Sequence, residues 1–196
     1  MKFEPHAFVN FTMNNHRRLA HIMRYNTTPI SIKESVAEHS YFVAFYAMLL
    51  CSYLKQNGIE RDVDELRVLK RALVHDMEEI ISGDIITTFK YQDPKFLELL
   101  GTLNSASIDK MLMELPTLTM IQMKNDWENS KDDSIEGLIV TVADKLSLLT
   151  YCIEQIKIGN SYMEPIYMRS VLKLEKLNKP WINDLLKEFW EHKIND

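Results

Sequence analysis

The 196-residue chain reads as an all-α protein on a small set of observations. Apolar residues recur at helical spacing along most of its length. Five glycines and six prolines supply too few turns for a sandwich or barrel of many short strands. A hydrophobic fraction of 46% is what a packed core requires, so disorder and fibrous repeats are excluded.

The elements follow in order. A first helix is expected over Asn14–Tyr25, with Leu19, Ile22 and Met23 on one side. Pro29 and its β-branched neighbours interrupt it. Ser35-Val-Ala-Glu38 has capping-box spacing and opens a second helix over Val36–Lys55, which Asn57-Gly58 closes. Asp62 or Asp64 caps a third, in which Val63, Leu66, Leu69 and Leu73 keep helical spacing; it runs to Ile81 and stops at Gly83. Short helices are expected over Lys95–Leu100 and Ser107–Leu115, then a polar exposed loop over Asp126–Asp133. Asp133-Ser-Ile-Glu136 repeats the capping-box spacing and opens a long helix ended by Gly159-Asn160. One or two amphipathic helices fill Pro165–His192, where Trp181, Leu185, Leu186, Phe189 and Trp190 form a stripe that caps the core. A single domain over 1–196 is expected, its core at about 14–160 and its C-terminal helices, 165–192, packed upon it.

Charge narrows the partners. With 23 Lys+Arg against 28 Asp+Glu the net charge is -5, which excludes a global positive field for a nucleic-acid polymer or an anionic membrane. The longest apolar-rich stretch, Tyr41–Leu54, is too short to span a bilayer, and Met1–Asn15 has no block of signal-peptide length. Cys51 and Cys152 sit in apolar stretches as reduced core residues, so a cytoplasmic location is expected.

Helical patterning leaves four residues unexplained. The long helix is apolar nearly all round, through Leu138, Ile139, Val140, Val142, Ala143, Leu146, Leu148 and Leu149, and so belongs at the centre. Its interior carboxylate, Asp144, needs a cationic partner, because an uncompensated buried charge costs several kcal/mol. Lys145 projects about 100° away around the helix, so that partner is expected from elsewhere. His39 lies in an otherwise apolar second helix and His75-Asp76 at the end of Leu73-Val74. Two imidazoles and two carboxylates suit one divalent transition-metal ion (Zn, Mn, Co, Ni or Fe, with Mg a further candidate) and leave positions open for water and a substrate oxygen. A lone helical histidine is ordinarily a satisfied core or surface residue, and His6, His16, His21 and His192 are read so. For the set His39, His75, Asp76 and Asp144 that reading would need each residue satisfied separately inside a core helix.

The ordered pattern resembles the HD-domain metal-dependent phosphohydrolases, within them the bacterial 5′-deoxynucleotidases and their phage relatives. The similar stretches are Arg24-Tyr25, Glu34-Ser-Val-Ala-Glu-His39-Ser, Leu73-Val-His75-Asp-Met-Glu-Glu79-Ile-Ile-Ser-Gly83-Asp84, Lys90-Tyr91 and Val142-Ala-Asp144-Lys, spread over roughly residues 18–160. The resemblance implies a helical HD-domain bundle, a homodimer, and hydrolysis of deoxynucleoside 5′-monophosphates to deoxynucleoside and phosphate. No histidine falls between Asp76 and Asp144, where dinuclear members recruit extra ligands, so a single-metal centre is implied.

Glu79 lies one turn beyond His75 and is expected to orient the attacking water and accept its proton, while Glu78 is left as surface. Arg24 is the expected phosphate clamp, its planar fork matching phosphate oxygens. Tyr25 stands where relatives carry a Trp that crowds the sugar 2′ position. Asp84 is placed to accept from a sugar hydroxyl, and Lys90 to reach phosphate. The chain departs from its relatives at Ile85-Ile86-Thr87-Thr88, where they carry prolines, so base preference does not transfer. The same site also suits attack at the α-phosphorus of a deoxynucleoside triphosphate such as dATP, with Arg18, Lys90 and Lys145 as further cations. A non-catalytic nucleotide-binding module is the third reading, and intact Glu79 and Asp84 count against it.

Overall fold

A computed structural model describes residues 3–195; positions 1, 2 and 196 of the expected domain lie outside the described residues. Regular structure among the described residues is helical, apart from an isolated bridge between Met23 and Ser35. The helices are α1 (Pro5–Asn14), α2 (Val36–Gln56), α3 (Glu65–Val74), α4 (Glu79–Ser82), α5 (Thr87–Lys90), α6 (Pro94–Leu112), α7 (Thr117–Glu128), α8 (Ile135–Lys157), α9 (Glu164–Glu175) and α10 (Pro180–Asn195). Short 3₁₀ segments cover His16–His21 and Ser161–Met163.

Helix α8 is central. Ile139, Val140, Val142, Ala143 and Leu149 are fully buried, and α8 packs against α2, α3 and α9 in one core cluster. Burying an aliphatic side chain of this kind contributes about 1.5–3 kcal/mol. Trp181 and Leu186 of α10 join this cluster, with Leu185 and Phe189 partly buried against it, while Trp190 stays exposed. A second cluster gathers Phe11, Leu19, Met77, Ile80, Ile108 and Leu112, with Trp127 against it. No helix among the described residues is long and apolar enough to cross a membrane.

The capping box of α2 forms in full: Ser35 Oγ accepts from the Glu38 amide, and Glu38 accepts from the Ser35 amide at 2.7 Å. Asp64 is the cap of α3. Other boundaries differ from the sequence-based expectation. Residues 14–25 do not make one helix: α1 ends at Asn14, and the backbone turns back so that Arg24 N donates to Glu34 O and Val36 N to Ile22 O. The third helix stops at Val74, and the turn at 75–78 separates it from α4. Gly83, at φ 69°, takes the left-handed backbone that ends α4. The two short helices expected within 95–115 are one helix, α6, because Gly101 is tolerated inside it.

Residues 126–128 belong to α7, whose Met120, Met123 and Trp127 pack on the second cluster; the exposed loop begins only after Glu128. At the start of α8 the cap is Ser134, not Asp133. Ser134 accepts from the Gly137 amide at 3.1 Å, and Glu136 instead accepts from the Asp64 amide at 3.2 Å. Tertiary anchoring of Glu136 on the loop before α3 displaces the local box.

Candidate metal centre

The first turn of α2, the end of α3 and the middle of α8 bring His39, His75, Asp76 and Asp144 together. His39 is 0% exposed. Its Nδ1 meets Ser147 Oγ at 3.2 Å, and its Nε2 faces Asp144 Oδ1 at 3.2 Å and Asp76 Oδ2 at 3.7 Å. His75 Nδ1 lies 2.7 Å from the Ala72 carbonyl, which can only accept, so Nδ1 donates there and Nε2 is the ring atom free to meet a ligand. That Nε2 points at Asp76 Oδ2, 3.1 Å away. Donor atoms of His39, His75 and Asp76 all lie within 4.8 Å of one another.

Two observations test whether these residues fit a divalent cation. Nε2 of His39 and Nε2 of His75 are buried with no hydrogen-bond partner. Burial, with Arg24 adding to it, pushes His39 down to about 3, so its ring is neutral, as a ligand must be. Two buried ring nitrogens without hydrogen-bond partners therefore face two carboxylates, an arrangement that a bound cation would make favourable. Both carboxylates are held ionised against the cost of burial: Asp76 by His75 and Lys131, Asp144 by Lys131 and Lys145. The residues fit.

The cationic partners of Asp144 correct the sequence-based expectation. Lys131 Nζ donates to Asp144 Oδ2 at 2.7 Å, and Lys145 Nζ donates to the same oxygen at 2.8 Å. Although the Lys145 backbone faces elsewhere, its four-carbon stem bends back far enough to reach. Oδ2 is thereby taken up by lysines, and Oδ1 is left facing His39. Lys131 sits in a polar turn whose sequence reads as solvated, so periodicity carries no signal for it.

Beside the centre, Arg24 forms a buried ion pair through Nη1 with Glu34, another residue that patterning alone did not single out. Its guanidinium lies 5.2 Å from the Tyr25 ring centroid. Tyr25 stacks on Tyr151 with centroids 5.7 Å apart, and its amide donates to Asp84 Oδ2 at 3.0 Å. Tyr25 holds φ 58°, a left-handed conformation uncommon for an aromatic residue, and the Asp84 bond is one restraint on it. Burial together with the Asp76 and Asp84 carboxylates pushes Glu79 up to about 9; a cation beside Asp76 would offset that repulsion and favour the ionised form.

Glu78 is not a surface residue. The turn that ends α3 swings it inward, where it is buried and accepts from Trp127 Nε1 at 2.7 Å. A cavity of about 940 Å³ opens next to Arg24, Tyr25 and Asp84 and extends past Leu148 to Arg169 and Lys173. Lys90, in the last turn of α5, is not among its lining residues, although Thr87, Thr88 and Tyr91 are.

Two imidazoles and two carboxylates converging from core helices, inside an all-helical fold, are the arrangement of an HD-domain protein. The chain belongs to the 5′-deoxynucleotidase YfbR-like family, whose model matches residues 11–193. A 5′-deoxynucleotidase of Photorhabdus laumondii is 31% identical over 127 residues, which is 65% of this chain and 64% of that protein, just under two thirds of the relative's length. Among solved structures, an HD-domain phosphohydrolase of Listeria innocua superposes with TM-score 0.82 at 25% identity, over 97% of this chain and 90% of that one. The HD phosphohydrolase of cyanophage S-2L, bound to dA and one catalytic Zn2+ ion, shares the fold with TM-score 0.60 at 16% identity, over 94% of this chain and 97% of that one.

Proposed function

We propose that the chain is a metal-dependent phosphohydrolase, a 5′-deoxynucleotidase that converts deoxynucleoside 5′-monophosphates to deoxynucleoside and phosphate. The observation that carries this reading is the pair of buried, unpartnered imidazole nitrogens facing Asp76 and Asp144 beside the cavity of Arg24, Tyr25 and Asp84. Family membership and the names of the relatives support it.

In this reading His39, His75, Asp76 and Asp144 hold one divalent transition-metal ion: Co, Mn, Zn, Ni or Fe, with Mg a further candidate. Such an ion supplies Lewis-acid polarisation of a phosphate oxygen and makes water more acidic. Arg24 binds the phosphate; Glu34 takes only its Nη1, which leaves the rest of the fork for phosphate oxygens. Glu79 accepts the proton of the attacking water. Asp84 holds the Tyr25 backbone through Oδ2 and keeps Oδ1 for a sugar hydroxyl, while the fixed Tyr25 ring packs against the sugar. Lys90 is assigned a phosphate contact from the resemblance alone.

A second reading, attack at the α-phosphorus of a deoxynucleoside triphosphate with release of triphosphate, is favoured by the two lysines at Asp144, which supply the added positive charge such a substrate needs. The cyanophage protein of the same fold holds the same classes of ligand, a deoxynucleoside and a zinc ion. Residues 1–196 are taken as one HD domain, cytoplasmic, with no nucleic-acid polymer or membrane as partner. It is taken to act as a homodimer, supported by the exposed apolar side of α2, which carries Tyr41, Phe42, Phe45, Met48 and Leu49.

Incubating the purified protein with Mn or Co and a panel of deoxynucleoside mono- and triphosphates, with products separated by chromatography, tests these readings. Inorganic phosphate from the monophosphates is the expected result. Triphosphate as product selects the second reading. Bound metal with no product from any nucleotide would instead mark a nucleotide-binding module.

A further inference from the structure

The far wall of the large cavity carries a basic pair to which hydrolysis of a monophosphate gives no task. Arg169 and Lys173 lie one turn apart on α9, and both line the cavity that Arg24, Tyr25 and Asp84 line at its other end. Neither has a carboxylate ion-pair partner among the described residues. Like charges at this spacing disfavour a helix. Lys173 has some offset, since it sits in the last turn where the helix dipole favours a cation, but Arg169 in mid-helix has none.

Lys173 Nζ also lies 5.9 Å from the Tyr91 ring centroid, which draws the ammonium toward the part of the wall formed by α5 and the residue after it. Partial desolvation, followed by the Lys145 and Arg169 charges and opposed by Asp144, lowers the Lys173 ammonium from its ordinary value. Of the cavity's charged lining, Asp84 is the one carboxylate, and it is engaged with the Tyr25 amide. At about 940 Å³ the cavity stands near the top of the range of roughly 300–1,000 Å³ usual for small-molecule sites, and so leaves room beyond one nucleoside monophosphate.

We propose that Arg169 and Lys173 form a second anion subsite, which takes a further phosphate group of the nucleotide substrate. The proposal rests on the reading that the Arg24 end of the cavity takes the first phosphate. The second group is either a 3′-phosphate on the sugar or another member of a 5′-polyphosphate chain; both present the same oxygens to the guanidinium and the ammonium.

Isothermal titration of the full chain, metal-free so that nothing is turned over, tests this. The ligands are a deoxynucleoside 5′-monophosphate, the corresponding 3′,5′-bisphosphate and the 5′-triphosphate. At least one doubly or triply phosphorylated nucleotide is expected to bind about tenfold or more tightly than the monophosphate, the effect of one added charge-assisted contact. That advantage is expected to shrink with added salt and to vanish in Arg169→Ala/Lys173→Ala. Which ligand gains identifies the source of the second phosphate. Equal affinities in the wild type, or an advantage that survives in the double variant, would overturn the subsite. Phosphate release from the monophosphate, recorded separately with Mn2+, tests the nucleotidase reading: its absence alongside an intact binding advantage would overturn that reading and leave the subsite standing.

Discussion

Lys131 and His39 meet opposite oxygens of one carboxylate: Lys131 Nζ donates to Asp144 Oδ2 at 2.7 Å, and His39 Nε2 faces Asp144 Oδ1 at 3.2 Å. The lysine comes from the turn before α8 and, though its side chain is 34% exposed, spends its charge inside the centre. The Asp144 and Asp76 carboxylates raise its ammonium above the ordinary value and so keep it protonated, against the partial desolvation of the site. Groups that orient a ligand in this way ordinarily change metal affinity or activity by about 10- to 100-fold when removed. Lys131→Ala is therefore expected to lower kcat/KM by at least about tenfold while the fold survives. Steady-state kinetics together with the thermal melt would show it, and unchanged kinetics would remove Lys131 from the site.

Glu79→Ala separates binding from turnover. Glu79 is not one of the donors that converge on the centre, so metal content should stay at the wild-type level. Loss of a general base typically costs about 100-fold or more in rate. Metal analysis beside a turnover assay reads both, and a variant that keeps its rate would reassign the base.

Gly137 ties the position of Lys131 to the packing of α8. A Cβ at this buried position would collide with the backbone oxygen, backbone nitrogen and side chain of Asp132, the residue next to Lys131. Gly137→Ala should destabilise the protein by about 1–3 kcal/mol, as overpacking does, and weaken catalysis by moving the turn. Urea unfolding and kinetics on the same preparation would test the pairing; a variant as stable as the wild type would contradict the close approach.

The start of α2 gives a pH signature. Hydrogen bonds from the Ser35 side chain and amide hold the Glu38 carboxyl below its ordinary value of 4.5. A depressed carboxyl pKa stabilises the fold above the unfolded value, and that contribution is lost as pH falls through the folded one. Ser35→Ala should cost about 1 kcal/mol at neutral pH. The gap to wild type should narrow as pH drops below 4.5, because protonated Glu38 no longer accepts both bonds. A gap independent of pH would show that the cap acts without the Glu38 charge.

Much of the centre was legible in the sequence for one physical reason. His39, His75, Asp76 and Asp144 are polar residues in apolar helices, and burial makes each of them demand a partner. Lys131, Glu34 and the inward turn of Glu78 were not legible, because each depends on how a loop folds over a core and not on periodicity. The same limit explains α6, where no local signal shows that Gly101 is spanned, and the cap of α8, where the Asp64 amide competes for Glu136. Lys145 shows the limit of backbone angles: the helix directs it away from Asp144, and its flexible stem returns it.

Metal content by elemental analysis, taken alongside phosphate release from deoxynucleoside 5′-monophosphates in the wild type and in Asp144→Asn, tests the centre most directly. One divalent ion per chain is predicted in the wild type, with phosphate release proportional to metal occupancy. Asp144→Asn should lose both together. Phosphate release at the wild-type rate from a metal-free Asp144→Asn protein would rule out metal-dependent hydrolysis at this centre.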